Sequence, residues 1–467
     1  MWEEGGLVNW AFIFSLAHAR PAPHMAPPPG GAPAEAEVDA GWPSPATPAA
    51  EAAQAPPRQL APPPPPAPPP APAHYFFSPA LARLSTRLPV NTDRPALVHA
   101  LIAALPSFLD GQTAVARVAS PASVADLAAF HDRAYLRLLA GGWAGADEAA
   151  LAAAGLEDDC PPFEGLWEVA THTAGASLAA ARALAAGVTR VAFALDGGRH
   201  HARPARAAGF CYVNDAVLAC QVLAGGGAGG RPRRVLYLDV DAHHGDGVEA
   251  AFVGTPAVLT VSIHHAGPGF YPGSGGAAGA GGVGAGTGFA LNLPLARGAR
   301  DGTFLAAACA LGAGAVAAFA PHALVLQLGA DGLARDPVAD AWSLTPAAYG
   351  RLAATVRGWC AGGDGYGAIP LLVLGGGGYD SVETAKAWAC GVCGAAGIPP
   401  PADVPDHAHV GRYGPTWRLG GCAVAPTVRD ENEAAAVVAG VEACLAGLRA
   451  GVERVRNEGA CVRGGVG

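Results

Sequence analysis

The chain has 467 residues, a length that allows two or three domains, or one large domain with a tail. Its formal net charge of −9 argues against direct nucleic-acid binding, because neutralising phosphates requires a basic surface. Ten cysteines are scattered through a chain too long to depend on disulfide bonds, and this indicates a reducing compartment.

The N-terminal part of the chain differs in composition from the rest. An apolar segment at residues 7–17 is too short to span a bilayer and follows two glutamates, where a signal peptide would carry positive charge. We therefore expect neither secretion nor contact with a membrane. Residues 21–72 are rich in proline and alanine and cannot bury a core. The sequence predicts a disordered tail over residues 1–73, a folded catalytic domain over residues 74–445 and a C-terminal tail over residues 446–467.

After the tail, helical and strand patterns alternate. Apolar residues at helical spacing predict helices over residues 95–105, 123–140, 165–186, 215–223, 301–319 and 345–360. Short apolar runs predict buried strands over residues 190–195, 235–240, 257–263, 323–328 and 369–374. This alternation predicts a single α/β domain, with a mostly parallel, doubly wound sheet flanked by helices on both faces. Sheets of this kind carry their sites at the carboxyl ends of the strands.

Four of the predicted strands end in polar groups, and the clearest case is the run around residue 240. Asp239, Asp241 and His243 are spaced two apart, so their side chains leave the same face of an extended backbone. Two carboxylates side by side repel each other unless a cation lies between or beside them. The other strand ends carry His200 with His201, Asp331, and a run of four glycines before Tyr379. Each signal is weak alone, since a His-His pair is often structural and an aspartate can cap a helix, but together they predict one site.

The residue types at these strand ends indicate a catalytic metal. Asp241, His243 and Asp331 form a mixed carboxylate and imidazole set that leaves coordination positions open. Zn²⁺ is the first choice for such a set, with Fe²⁺ as the alternative. A metal there polarises a carbonyl and lowers the pKa of its water to about 7, which creates a nucleophile at neutral pH.

The remaining polar groups suit acid–base chemistry around that metal. His200 and His201 would act as base and acid, and Asp239 and Asp246 are available to orient them. Tyr379, presented by the glycine turn, would donate a hydrogen bond to the developing oxyanion. The pattern predicts metal-assisted hydrolysis of an amide.

Long motifs surround these residues: Gly197-Gly-Arg-His-His-Ala202, Gly209-Phe-Cys-Tyr-Val-Asn-Asp215, Leu238-Asp-Val-Asp-Ala-His-His-Gly-Asp-Gly-Val-Glu249, Phe270-Tyr-Pro-Gly273, Gln327-Leu-Gly-Ala-Asp331 and Leu374-Gly-Gly-Gly-Gly-Tyr379. Through them the chain resembles the zinc-dependent histone deacetylases from about residue 74 to about residue 442. The class I branch, and within it the histone deacetylase 8 type, is the most similar. The resemblance implies an arginase/deacetylase fold and hydrolysis of the acetyl amide of N-acetyl-lysine in proteins, with histone tails as the expected substrate.

The resemblance also implies roles for individual residues. By motif it assigns the same metal ligands, histidine pair and oxyanion donor as above. Asp159 matches the rim carboxylate that holds the substrate backbone, and Arg94 matches the basic residue of the internal pocket behind the metal. The tunnel that grips the lysine stem would be formed by Gly209, Phe210, Tyr271 and Val338.

A monovalent cation and protein partners are implied in the same way. The resemblance implies K⁺ near Asp239, Asp241, His243 and Ser262, and a second K⁺ near Phe252, Thr255 and Val258. It also implies corepressor subunits and a location in the nucleus, the cytoplasm or both.

Some positions depart from the family pattern. Tyr271 and Val338 stand where the family commonly has Phe and a larger Leu or Met, and this predicts a wider, more polar tunnel mouth. Arg199 replaces an apolar residue beside the histidine pair, where it either favours an acidic substrate or points into solvent. The loop over residues 273–288 has lost its polar residues to alanine and glycine and is predicted to be flexible.

Two alternative functions remain open at this point. One is a deacylase of small acylated amines such as acetylpolyamines, or of longer acyl chains. The other is a non-catalytic subunit that binds acetyl-lysine or serves as a scaffold. The complete metal set and the presence of Tyr379 argue against the second alternative.

Overall fold

The structure is a computed structural model that describes residues 71–225, 233–361, 368–421 and 429–464, with side chains up to residue 458. The disordered tail predicted over residues 1–73 lies outside the described residues, except for its last three. The first strand of the described residues begins at Ala73, one residue before the predicted domain start.

The described residues form one nine-stranded sheet. Its strands are β1 Ala73–Phe77, β2 Ala114–Val118, β3 Val191–Ala194, β4 Val235–Asp239, β5 Val258–His265, β6 Gly279–Gly281, β7 Ala290–Leu295, β8 Ala323–Gln327 and β9 Leu371–Leu374. They follow one another across the sheet in the order β2-β1-β3-β9-β8-β4-β5-β7-β6. Neighbouring strands run parallel, apart from the antiparallel pair of β6 and β7 at one edge. The predicted α/β class and mostly parallel sheet are therefore confirmed.

Helices cover both faces of this sheet. They are α1 Pro79–Leu84, α2 Arg94–Ala104, α3 Val124–Leu127, α4 Arg133–Leu139, α5 Glu148–Ala153, α6 Leu166–Ala185, α7 Asp215–Ala224, α8 Asp246–Phe252, α9 Asp301–Phe319, α10 Pro346–Cys360, α11 Ser381–Ala396 and α12 Ala434–Gly464. Side chains alternate along β4: Leu236 and Leu238 enter the core under α2 and α9 to α12, and Val235 and Tyr237 enter the core under α6 to α8. A central strand with both faces covered must be apolar throughout, which explains its uninterrupted apolar sequence.

Three predicted segments differ from the structure. The helix predicted over residues 123–140 is two helices, α3 and α4, and α3 starts with a capping box in which Ser123 and Asp126 bind each other's backbone N–H. The loop over residues 273–288 contains strand β6 and a 3₁₀ turn, so it is more regular than a flexible loop. Helix α12 continues past the predicted domain boundary at 445 to Gly464, and Leu448 within it is fully buried.

Two helices are long and apolar enough to cross a membrane by length and composition alone, namely α9 and residues 434–458 of α12. Core helices of soluble proteins pass the same test. More than half of the α9 segment is buried within the structure. This length-and-composition match is weak evidence for a membrane span, and the absence of membrane contact stays a prediction.

Candidate active site

The carboxyl ends of β3, β9, β8 and β4 carry the candidate site. These four strands lie next to one another in the middle of the sheet. The polar groups at their ends therefore meet, as the sequence pattern predicts, although they are separated by up to about 180 residues along the chain. The strands that carry these groups are buried on both faces, so they form a rigid support for the site.

Asp241, His243 and Asp331 converge in this place. All three side chains are buried, and one possible ligand atom from each lies within 4.8 Å of the others. The Nδ1 atom of His243 lies 2.8 Å from Oδ2 of Asp331 and 3.2 Å from Oδ1 of Asp241. Burial and the charge of Asp241 raise the pKa of the Asp331 carboxyl to about 7, so two buried carboxylates in contact call for a cation. The donor set fits a divalent metal with an open coordination position.

Neighbouring polar groups fix the orientation of these carboxylates. Oδ2 of Asp241 accepts hydrogen bonds from the backbone N–H of Gly377, at 2.8 Å, and from the side-chain amide of Gln327, at 3.1 Å. Oδ1 of Asp331 accepts one from the backbone N–H of Ala242 at 2.7 Å. Sequence reasoning quoted Gln327 in a motif but gave it no role. The available signal was a polar residue inside an apolar strand, which must find a partner when buried.

His200 and His201 lie against each other with ring centroids 3.9 Å apart. Nδ1 of His200 lies 2.8 Å from Oδ2 of Asp239, and Nδ1 of His201 lies 2.7 Å from Oδ1 of Asp246. Burial opposes protonation of His200, but the carboxylates of Asp239 and Asp241 outweigh it and raise its pKa to about 9. Burial and the charge of His200 lower the pKa of His201 to about 3. In the metal-free protein near neutral pH, these values place a proton on His200 and leave His201 neutral.

Each orienting carboxylate has a further partner that sequence reasoning missed. The hydroxyl of Tyr237 donates to Oδ2 of Asp239 at 2.7 Å, and the guanidinium of Arg203 donates to Oδ2 of Asp246 at 2.6 Å. Tyr237 could have been noticed as a polar group two residues before Asp239 on the same strand face. No sequence signal links Arg203 to Asp246, since the two residues are 43 positions apart.

Tyr379 is held at the site through its backbone. Its N–H donates to Oδ2 of Asp336 at 2.7 Å, and the preceding Gly376 and Gly378 have φ values of 148° and 121°. Only glycine adopts such values readily, so the run of glycines is required for this approach. Burial and the charge of Asp331 raise the pKa of the Tyr379 hydroxyl well above 10. The hydroxyl therefore stays protonated and can donate a hydrogen bond.

Three of the residues predicted to form the tunnel lie beside His201 or Tyr379. Gly209 has a φ of 55°, and a Cβ at this position would lie 2.3 Å from the ring of His201, so the close approach requires glycine. The Phe210 ring lies 5.5 Å from that of Tyr379, and the Tyr271 ring lies 4.9 Å from that of His201. Both aromatic rings therefore lie beside candidate catalytic residues, and their role in gripping an aliphatic stem stays a prediction.

The residues predicted to form the tunnel mouth are Asp159, Tyr271 and Val338. Oδ2 of Asp159 accepts a hydrogen bond from the N–H of Gly209 at 2.7 Å, which links two of the predicted substrate-binding residues. Tyr271 and Val338 are 40% and 44% exposed, and their place at a tunnel mouth stays a prediction. Sequence reasoning gave no separate role to Phe270, whose ring stacks on the His243 imidazole with centroids 4.9 Å apart.

Arg94 lies behind the glycine turn. It is buried, donates to the carbonyl oxygens of Gly376 and Gly378 at 3.1 and 2.8 Å, and lies over the ring of Trp388. A role for Arg94 in an internal pocket stays a prediction.

The residues predicted to hold K⁺ occupy two places near β5. Asp239 pairs with Ser262 across β4 and β5, and the Ser262 hydroxyl accepts a hydrogen bond from a backbone N–H at 3.3 Å. Phe252, Thr255 and Val258 follow one another through the turn from α8 into β5. Binding of K⁺ at either place stays a prediction.

Comparison with known proteins agrees with the sequence motifs. Residues 88–394 match the family model for the histone deacetylase domain. The chain is 37% identical to histone deacetylase 8 of Danio rerio over 364 residues, which cover 77% of this chain and 90% of the relative. It is 38% identical to histone deacetylase 8 of Xenopus laevis over 68% of this chain and 94% of the relative. It is 36% identical to histone deacetylase 1 of Homo sapiens over 56% of this chain and 51% of the relative. With its arginase/deacetylase fold, this chain belongs to the histone deacetylase family and is class I-like.

Proposed function

We propose that the protein hydrolyses the acetyl amide of N-acetyl-lysine in proteins, with histone tails as substrate and Zn²⁺ as its metal. Family membership supports the deacetylase activity, and the buried Asp241, His243 and Asp331 cluster supports the metal dependence. The proposal depends mainly on one observation: this cluster lies at the same end of the sheet as an oriented histidine pair and Tyr379.

The metal would be held by Asp241, His243 and Asp331, and when bound it supplies a Lewis acid that polarises the amide carbonyl and activates water. His201 faces Asp246 through Nδ1, which leaves Nε2 for the proton of the attacking water. His200 is turned towards Asp239 in the same way and holds the positive charge beside it. A proton passed from this pair to the lysine nitrogen would release the free amine.

The developing oxyanion would be stabilised by the Tyr379 hydroxyl. One such donor contributes about 2.7–4 kcal/mol to the transition state. Phe210 and Tyr271 would hold the lysine stem, and Asp159 at the rim would accept hydrogen bonds from the substrate backbone. Arg94 would line the pocket behind the reacting carbonyl.

Other parts of the proposal rest on the family resemblance. Fe²⁺ is the alternative metal, and K⁺ is proposed for the places beside Ser262 and beside Thr255. Corepressor subunits are proposed as partners, and the nucleus, the cytoplasm or both as the location.

Hydrolysis of an acetyl-lysine peptide by the purified full chain, after reconstitution with Zn²⁺, tests the proposal. Asp241→Ala should abolish turnover, because it removes a metal ligand. Asp403→Ala is the matched control: Asp403 forms an exposed ion pair with Arg418, so its removal should leave turnover unchanged.

Acetylputrescine serves as the competing substrate in the same assay. If it alone is hydrolysed, the substrate is a small acylated amine, and the protein-substrate proposal is wrong. If neither substrate is hydrolysed although metal is shown to be bound, the chain is an acetyl-lysine-binding scaffold or acts on another acyl group.

A further inference from the structure

Arg203 lies two residues after the histidine pair and forms an ion pair with Asp246. Nη2 of Arg203 lies 2.6 Å from Oδ2 of Asp246, and Nδ1 of His201 lies 2.7 Å from Oδ1 of the same carboxylate. Both oxygens of Asp246 are therefore engaged. The terminal bond of an aspartate side chain rotates easily, so a carboxylate bound through one oxygen can turn. One that is bound through both oxygens is held in a single orientation.

The loop that carries Arg203 is held by contacts of its backbone. The N–H of Arg203 donates to the carbonyl of Arg206 at 2.8 Å, and the carbonyl oxygen of Pro204 lies 3.2 Å from Nδ1 of His131. Burial lowers the pKa of His131 to about 4, so its ring is neutral near pH 7. Nε2 of this ring accepts the N–H of Asn214 at 3.0 Å, which leaves the proton on Nδ1 for Pro204. None of these contacts uses the Arg203 side chain, so replacing it should leave the loop in place.

Arg203 also helps to keep Asp246 ionised. Burial alone would raise the pKa of Asp246, but the His201 ring, first through its hydrogen bond, and then the Arg203 guanidinium bring it below its ordinary value. An ionised carboxylate can only accept a hydrogen bond, so it holds the neutral His201 ring with its proton on Nδ1. Nε2 of His201 then keeps its lone pair, which a general base requires.

We propose that Arg203 is a positioning residue for His201 and acts through Asp246. Loss of the guanidinium leaves Oδ2 of Asp246 free, so the carboxylate can turn away from Nδ1 of His201. The ring then also adopts the tautomer with its proton on Nε2, and this tautomer cannot accept a proton from water. The inference rests on the proposed hydrolysis, in which Nε2 of His201 is the base.

The size of the effect follows from the exposure of the ion pair. Loss of a residue that orients a group at a metal site typically costs about 10–100-fold in activity. The Arg203 side chain is 36% exposed and the Asp246 side chain 14%, so water can replace part of what the guanidinium does. We therefore expect a loss at the lower end of this range.

Variants of the full chain test the proposal by kinetics. Arg203→Leu removes the cation, Arg203→Lys keeps it, and Arg203→Gln serves as a second neutral variant if Arg203→Leu unfolds. Arg206→Leu is the matched control, because Arg206 is exposed in the same loop and donates to the Ala152 carbonyl at 3.3 Å. For each chain, kcat and KM are measured on an acetyl-lysine peptide after metal reconstitution. The same quantities are measured for Asp246→Asn, alone and combined with Arg203→Leu.

Proton NMR of the metal-free protein provides a readout that needs no turnover. The Nδ1 proton of His201 is shared with a carboxylate in a charge-assisted hydrogen bond, so its signal should lie at low field. The signal is identified as the one that His201→Gln abolishes. It reports the tautomer of His201 directly, and an ion pair with a merely structural role would not affect it.

The proposal predicts that Arg203→Leu lowers kcat by about tenfold with little change in KM, and that Arg203→Lys recovers most of the loss. Arg206→Leu should match the unmodified chain. In the Asp246→Asn chain, Arg203→Leu should have no further effect, because the two residues act on the same group. The low-field signal of His201 should weaken or shift in Arg203→Leu and persist in Arg203→Lys.

Two results would overturn the proposal. One is an unchanged His201 signal in Arg203→Leu, and the other is a full loss of kcat from Arg203→Leu in the Asp246→Asn chain as well. If the unmodified chain does not hydrolyse the peptide, the proposed function is wrong instead, and the His201 signal still decides whether Arg203 positions His201.

Discussion

At the scale of single residues, the proposed function of Tyr379 depends on its hydroxyl group. The backbone N–H of Tyr379 binds Asp336, and the glycines before it bind Arg94 through their carbonyl oxygens. The position of the residue is therefore fixed without its hydroxyl. This separates the structural role of Tyr379 from its chemical role, and a single substitution can test the latter.

Tyr379→Phe should lower kcat on an acetyl-lysine peptide by about 10²–10³-fold, because the oxyanion loses one hydrogen-bond donor. Metal affinity and the thermal unfolding midpoint should not change, since the backbone contacts remain. Tyr271→Phe is the control: it removes a hydroxyl from a tyrosine at the tunnel mouth, and we expect little change in kcat. Retention of most of the activity by Tyr379→Phe would contradict the assigned role.

Single residues also show which members of a site can be recognised from the sequence. Asp241 and Asp331 are noticeable because each is a charge at the end of an apolar strand. Arg203 and Asp336 are not, because their roles depend on contacts with Asp246 and with the Tyr379 backbone that form only after folding. A residue that acts by orienting another residue is not marked by any pattern in the sequence around it.

At the scale of elements, burial decides which strands the sequence predicts. β3, β4, β8 and β9 lie inside the sheet, and their apolar runs follow from having both faces covered. The edge strand β2 has three exposed residues, and the other edge strand, β6, consists of Gly-Ala-Gly, so neither forms an apolar run. β7 contains Asn292 and Pro294, which interrupt its apolar pattern. β2, β6 and β7 therefore lack a continuous apolar run, whereas β1, which was also not predicted, is mostly buried and lies inside the sheet.

Helix α12 shows a different limit, because residues 446–464 of this helix lie in the segment that the sequence predicts as a C-terminal tail. Leu448 is fully buried, and a Cβ on Gly451 would lie 3.2 Å from the Cα of Gly288. The apolar positions Leu448, Val452 and Val455 continue the helical spacing beyond residue 445. The helix therefore completes the core under β7.

A chain that ends at Leu445 should be less stable than one that ends at Glu458. The shorter chain exposes the core that Leu448 and Val452 cover, and losing one buried aliphatic side chain alone costs about 1.5–3 kcal/mol. We expect a lower urea midpoint for the shorter chain and an unchanged midpoint for the longer one. Equal midpoints for the two truncated chains would show that residues 446–458 contribute nothing to stability.

At the scale of the whole molecule, the sheet combines two apolar cores with a cluster of buried charges at one end. The cores rigidify the strands that carry Asp239, Asp241 and Asp331, so these side chains cannot move apart to relieve their repulsion. Buried ionised groups are costly unless they are paired. The free energy of the folded state should therefore depend on whether a metal or a proton supplies the missing positive charge.

Metal binding should stabilise the protein more at about pH 8 than at about pH 5.5. Burial and Asp241 raise the pKa of Asp331 to about 7 in the metal-free protein, far above its ordinary value of 3.8. A raised pKa gives stability that is fully present below the ordinary value and is lost as the pH rises through about 7. The metal competes with this proton, so its effect grows as the proton leaves.

The measurement is the thermal unfolding midpoint with Zn²⁺ and with chelator at both pH values. A free metal concentration of about 100 times Kd should stabilise the fold by about 2.7 kcal/mol at the higher pH. Asp331→Asn should lose most of the metal-induced shift, because it removes both a ligand and the titrating carboxyl. Its metal-free form should keep its stability between about pH 5.5 and pH 8 better than the unmodified chain. A metal-induced shift that is equal at both pH values would show that no proton on Asp331 competes with the metal.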